Sequence, residues 1–199
     1  MDVFTYPTRP HVRRHGPQGY ATLRSFRPWL RDEFSFRCVY CLLREQWSLL
    51  PGMFDIDHFQ PAAHRADMAL AYENLLYCCA SCNTAKGALR LPNPEEALLA
   101  ADVHIHDDGR IEGRTPAARE LIRALGLDDP AYNEFRAQWR RMIGLAKEYD
   151  PELYQKLMGF PEDLPDLTGL RPPNGNTRPD GVNASFHAER QRGELAETY

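Results

Sequence analysis

The 199-residue chain is 43% hydrophobic, enough for one ordinary domain or a small domain with an appendage, and no apolar run reaches bilayer-spanning length. A formal net charge of −4 argues against general affinity for nucleic acid. The charge is uneven, however: residues 1–44 hold eight arginines against three acids, whereas the rest hold 16 basic and 25 acidic groups.

The N-terminus, Met1-Asp2-Val3-Phe4, lacks a basic stretch leading into an apolar one, so no signal peptide and a cytoplasmic location are expected. Residues 1–21 contain Pro7, Pro10, Gly16, Pro17 and Gly19 with little periodicity and read as an extended arm. From residue 22 to 37, Leu23, Phe26, Trp29, Leu30 and Phe34 recur at helical intervals. They predict an amphipathic helix that Pro28 starts or kinks, with arginines on its exposed side. The sequence Cys38-x2-Cys41 follows as a knuckle. After the turn signal Pro51-Gly52, residues 53–59 read as a strand that Pro61 ends, and residues 62–73 as a polar loop. Leu75-Leu76-Tyr77-Cys78 is a second strand, leading into Cys79-x2-Cys82 and a helical segment that Pro92 closes. Residues 22–92 are thus expected to form the core: strand, loop, strand and helix, with knuckles at two corners.

In residues 93–160, Asn93-Pro94 starts a short helix, Asp108-Gly109 turns a hairpin over residues 103–112, and Thr115-Pro116 and Asp129-Pro130 start two further helices. The second of these presents Tyr132, Phe135, Trp139, Met142 and Ile143 on one face. A short helix is expected near residues 152–158. From residue 161 to 199, proline, glycine and asparagine accumulate, which predicts a loose tail with one helix near residues 186–196. The fold class expected is α+β, a small core with an N-terminal helix and a helical C-terminal extension.

Two groups of residues carry chemistry. Four of the five cysteines, Cys38, Cys41, Cys79 and Cys82, form two Cys-x2-Cys pairs, the pattern that holds Zn²⁺ tetrahedrally in a reducing compartment. The 37 residues between Cys41 and Cys79 leave room for a hairpin, and Cys78 is assigned to the apolar interior. Between the pairs lies Asp55-Ile56-Asp57-His58, where a histidine, a residue type that can take a proton from water, stands beside carboxylates suited to a hard cation. Asn74 precedes the second pair, and Asn83 and Lys86 follow it on one side of a helix.

Taken together, Cys38-x2-Cys41, Asp57-His58, Asn74 and Cys79-x2-Cys82-Asn83 with Lys86 resemble the HNH endonucleases over about 50 residues. The resemblance implies a ββα-metal core stapled by structural zinc, in which His58 is the general base and Asp57 and Asn83 hold a catalytic Mg²⁺ or Mn²⁺. It also gives Asn74 the task of bracing the loop that orients His58. Lys86 is expected to meet a substrate phosphate. Asn83 stands where many members have histidine. The activity implied is hydrolysis of DNA phosphodiester bonds, with the N-terminal arginines holding phosphates. The hairpin and helices of the extension are similar, more weakly, to those of some bacterial antiphage defence HNH proteins. Their acidic balance suits a regulatory protein partner such as an ATPase. The competing reading is a zinc-stabilised module that binds nucleic acid or protein without cutting. No membrane partner is expected.

Overall fold

Leu75–Cys79 is a run of five buried residues, Leu-Leu-Tyr-Cys-Cys, and it forms the central strand of the core. A continuous apolar run of this length suits a strand covered on both faces. In the computed structural model, which describes residues 3–48 and 52–199, this strand (β2) pairs antiparallel with β1 (Phe54–His58). Met1, Asp2 and Pro51, used as sequence signals above, lie outside the described residues. The register places Asp55 opposite Cys78, Asp57 opposite Leu76 and His58 opposite Leu75. Helices α1 (Arg27–Glu33) and α2 (Ala80–Lys86) both pack on β2, and α2 also contacts β1.

Pro28 starts α1 rather than kinking it: Leu23–Phe26 is a 3-10 turn that runs into α1. The helix ends at Glu33, four residues short of expectation. Ser35 and Phe36 then take left-handed conformations (φ 51° and 56°) and turn the chain into the first cysteine knuckle. The ring of Phe36 is buried among Phe160, Phe186 and Tyr199, which holds this unusual backbone in place.

The extension comprises α3 (Pro94–Ala97), a hairpin of β3 (Val103–Ile105) and β4 (Ile111–Gly113), α4 (Pro116–Ala124), α5 (Pro130–Tyr149) and α6 (Pro151–Met158). Asn93, Thr115 and Asp150 cap α3, α4 and α6 by accepting the amides of Glu95, Ala118 and Leu153. Gly109 (φ 86°) turns the hairpin so close to α5 that an added Cβ would collide with the carbonyl of Asn133. None of the helices among the described residues is long and apolar enough to cross a membrane.

Two expectations are corrected. The segment from residue 161 is not loose: α7 (Asp180–Asn183) and α8 (Phe186–Arg192) return to the N-terminal arm. There Gln18 and Gly175, Asn174 and Gln18, and Thr177 and Gly16 bond through their backbones. Turn-forming residues gave this stretch the composition of a tail, yet its Phe186 and Tyr199 are anchors. Nor do the arginines of residues 1–44 form an open phosphate-binding face. Arg13 donates to the Leu75 carbonyl and Glu95, Arg14 to Asp32, Arg27 to the Phe54 carbonyl, and Arg31 to Glu45 and Asp163. Arg44 is buried, and only Arg9 and Arg24 of the eight stand exposed. Arg13, Arg14 and Arg31 thus answer carboxylates of the fold, and Arg27 and Arg44 answer backbone carbonyls.

Candidate metal centre and active site

The first knuckle is built by Cys38 accepting the Leu42 amide at 3.0 Å and donating to the Leu43 carbonyl at 2.8 Å. Leu42 closes it at φ 63°, a left-handed conformation that costs a non-glycine residue about 1–2 kcal/mol. The amide of Val39 donates to the Tyr77 carbonyl, docking the knuckle on β2. The second knuckle is the end of β2 itself: Cys79 is its last residue and the N-cap of α2, and Cys82 lies in the first turn of that helix.

All four thiols are buried, with their sulfurs within 4.8 Å of one another. Cys41 Sγ and Cys79 Sγ are 3.7 Å apart, far beyond a disulfide bond. The edge of a ZnS₄ tetrahedron with bonds of about 2.3 Å measures about 3.8 Å. Hydrogen bonds among the four thiols push the Cys79 thiol below its ordinary pKa and those of Cys41 and Cys82 above theirs, as one shared negative charge would. The four residues therefore fit zinc in donor type, number and spacing. Cys78 lies in the apolar interior and outside this cluster.

The second group straddles β1. Asp55 and Asp57, two positions apart on the strand, both face α2. Asn83 Nδ2 lies 3.4 Å from Asp55 Oδ2, and Lys86 Nζ lies 2.9 Å from Asp57 Oδ1. Two strand residues span about 6.7 Å and three helix residues rise about 4.5 Å, so each α2 side chain meets one carboxylate. Lys86 is only 1% exposed, and it also donates to the His58 carbonyl at 2.6 Å. The expectation that Lys86 reaches a substrate phosphate therefore does not fit the structure; its ammonium neutralises a buried acid. Asp57 is 4% exposed, and its second oxygen accepts a 2.6 Å hydrogen bond from the Tyr40 hydroxyl. Burial and the neighbouring Asp57 carboxylate push the Tyr40 hydroxyl far above its ordinary pKa, so it remains a donor.

His58 reaches into the loop of residues 59–73. Its Nε2 lies 3.0 Å from the Ala69 carbonyl oxygen. A carbonyl only accepts, so Nε2 carries the hydrogen and Nδ1 of the neutral ring carries the lone pair. Buried Asn74 fastens the same loop. Its Oδ1 accepts the Gln60 amide at 2.7 Å, and its Nδ2 donates to the carbonyls of Gln60 and Met68 at 3.0 and 3.2 Å. The Met68 carbonyl belongs to the peptide that precedes Ala69, so Asn74 holds the segment that holds His58.

Residues 38–89 match the family model described as HNH endonuclease, and this match covers both knuckles, β1, β2 and α2. The chain contains an HNH domain. No curated protein matches the chain. Asp57 and His58 lie on β1, Cys79 on β2, and Cys82, Asn83 and Lys86 on α2, while Cys38 and Cys41 lie in the knuckle that precedes β1. Tyr40 escaped the sequence reading of this domain. A tyrosine between two zinc-type cysteines carries no sequence signal for contact with β1. Asp55 was marked by its two-residue spacing from Asp57, but its neighbour Asn83 was assigned to Asp57 instead.

Proposed function

We propose that the protein is a metal-dependent HNH endonuclease that hydrolyses DNA phosphodiester bonds. The observation that carries this reading is the hydrogen bond from His58 Nε2 to the Ala69 carbonyl, within a loop braced by Asn74. It fixes the ring with Nδ1 as the proton acceptor, the arrangement a general base requires. When His58 takes a proton from water, the positive charge is stabilised by the same carbonyl.

Asp57, Asp55 and the Asn83 amide offer oxygen donors on one side of β1, which suits Mg²⁺ or Mn²⁺ better than a second zinc. A cation held by these groups would supply Lewis-acid polarisation of the scissile phosphate. Tyr40 and Lys86 occupy one lone pair on each Asp57 oxygen, and a carboxylate has about four such positions. Exposed His64, on the loop that carries Ala69, would meet the substrate backbone, whereas Arg65 on the same loop is paired with Asp67.

The test is cleavage of supercoiled plasmid in Mg²⁺ by the parent protein and by His58→Ala, with chelator as a control. The expected result is nicking or linearisation that is lost at least 100-fold in the variant, and lost with the chelator. A variant that cuts like the parent overturns the assignment of His58. The double clamp on Asp57 is the observation that favours the non-cutting alternative. A zinc-loaded parent that binds DNA and leaves it intact would establish that alternative. The acidic balance of residues 45–199 suits a regulatory protein partner, for instance an ATPase in an antiphage system. Full-rate cutting by the isolated protein at cellular salt would remove that part of the reading.

A further inference from the structure

We infer that Tyr40 is a positioning residue that ties the reaction centre to the zinc centre, an inference resting on the nuclease reading above. The two side chains that grip Asp57 come from the two zinc knuckles. Tyr40 lies between Cys38 and Cys41, and its hydroxyl bonds one Asp57 oxygen at 2.6 Å. Lys86 lies one helical turn after Cys82 and bonds the other oxygen at 2.9 Å. The same ammonium bonds the His58 carbonyl, so the backbone of the general base is held by the second knuckle too.

Every member of this set is enclosed. Tyr40 has no exposed surface, and its own carbonyl accepts a 2.6 Å hydrogen bond from the buried Tyr6 hydroxyl. The orientation of the Asp57 carboxylate is consequently fixed by the knuckle on which Tyr40 rides, and zinc fixes that knuckle. Asp57 presents its remaining lone pairs to a cation in one orientation. Without the Tyr40 hydroxyl, Lys86 remains as the only clamp of the two, and the carboxylate is free to rotate about it. Partners of this kind, one bond removed from a metal ligand, typically cost 10–100-fold in metal affinity or activity when removed.

The experiment measures Mn²⁺ binding by electron paramagnetic resonance on zinc-loaded full-length protein, alongside zinc content, melting temperature and the Mg²⁺ dependence of plasmid cleavage. Tyr40→Phe keeps the ring and removes only the hydroxyl. Its Mn²⁺ dissociation constant is expected to rise about 10–100-fold, and cleavage is expected to need correspondingly more Mg²⁺, while zinc stays at the parental level. Tyr72→Phe removes a matched buried hydroxyl that bonds Glu33 and touches neither Asp57 nor Tyr40, and it is expected to bind Mn²⁺ like the parent. If the parent cuts and binds Mn²⁺ but Tyr40→Phe binds it equally well, the positioning role is overturned and the nuclease reading stands. The role is also overturned if Tyr72→Phe weakens Mn²⁺ binding as much as Tyr40→Phe, because a general loosening of the core then explains both. A parent that neither cuts nor binds Mn²⁺ overturns the nuclease reading, and the inference falls with it.

Discussion

At the scale of single residues, the arm is held to the core by buried charge, with Glu33 at the centre. Its carboxylate accepts from His11 Nε2 at 2.8 Å, from the Arg14 and His15 amides at 2.7 and 3.0 Å, and from the Tyr72 hydroxyl at 2.9 Å. Burial pushes its pKa up, but the hydrogen bonds from His11 and Arg14 outweigh burial and hold it at about 2, against an ordinary 4.5. A depressed carboxylate contributes stability that is present above pH 4.5 and lost as pH falls from there towards 2. At 1.36 kcal/mol per pH unit the contribution is on the order of 3 kcal/mol. Glu33→Gln is expected to be destabilised by roughly that amount at pH 6 and by less than half of it near pH 3, as read by urea unfolding at both values. The difference between the two proteins is the measure, because acid also protonates the zinc thiolates in each. Glu33 was not legible in the sequence, where it sat among arginines and read as one acid on a basic surface. Asp57-His58 was visible as a pair because motif spacing marks it. What surrounds that pair is set by contacts from Tyr40 and Lys86, at positions 17 and 28 residues away from their hydrogen-bond partners.

At the scale of elements, start and stop signals were legible because they act within a few residues. Thr115-Pro116, Asn93-Pro94 and Asp108-Gly109 each sit where a helix begins or a hairpin turns. Which face meets which was not legible, because the partners come from distant segments. The apolar stripe of α5 packs through Trp139, whose ring stacks on Trp47 at 4.5 Å and 10°. Phe135 of the same helix contacts Phe4 at 6.0 Å. Buried Arg136, invisible as a core residue from sequence, donates to the carbonyls of Gly109 and Leu127, both at 2.6 Å. It thereby fastens the β3–β4 turn and the α4–α5 connection to one helix. The stacked tryptophans join the extension to the loop that follows the first knuckle. Trp139→Ala is expected to cost about 3 kcal/mol, the lower end for a large aromatic because the ring is only half-buried. At about 2–4 °C per kcal/mol for a chain of this size, the melting temperature should fall by about 6–12 °C. Zinc content should hold at the parental level, since Trp139 contributes none of the four sulfurs. Loss of zinc in this variant would show instead that the extension supports the metal centre.

At the scale of the whole molecule, the two terminal segments close on each other across the core. Phe186 donates its amide to buried Asp32 at 2.9 Å, and its ring lies beneath the Arg14 guanidinium at 4.7 Å. The Tyr199 ring packs on Phe160 at 4.6 Å and beneath the Arg44 guanidinium at 4.3 Å, and its hydroxyl donates to Gln46 at 2.6 Å. Composition alone assigned this stretch to a tail, because two anchoring aromatics among many turn residues hardly alter an average. Their effect lies in position, since they bury Phe36 at the left-handed bend that leads into the first knuckle. Deleting residues 186–199 removes both anchors and leaves Asp32 short of one donor. Burying each aromatic side chain is worth about 1.5–3 kcal/mol. Together they predict a fall in melting temperature of about 6–24 °C at 2–4 °C per kcal/mol. Hydrogen exchange should quicken at the amides of residues 14–18 and at the bend around Phe36, while the β1–β2 pair keeps its protection. An unchanged melting temperature would mean that the terminal segment contributes nothing to the fold. Faster exchange confined to residues 14–18 would limit its work to holding the arm. Faster exchange that reaches Cys38 would make the terminal segment a support of the zinc knuckle, and through Tyr40 a support of Asp57.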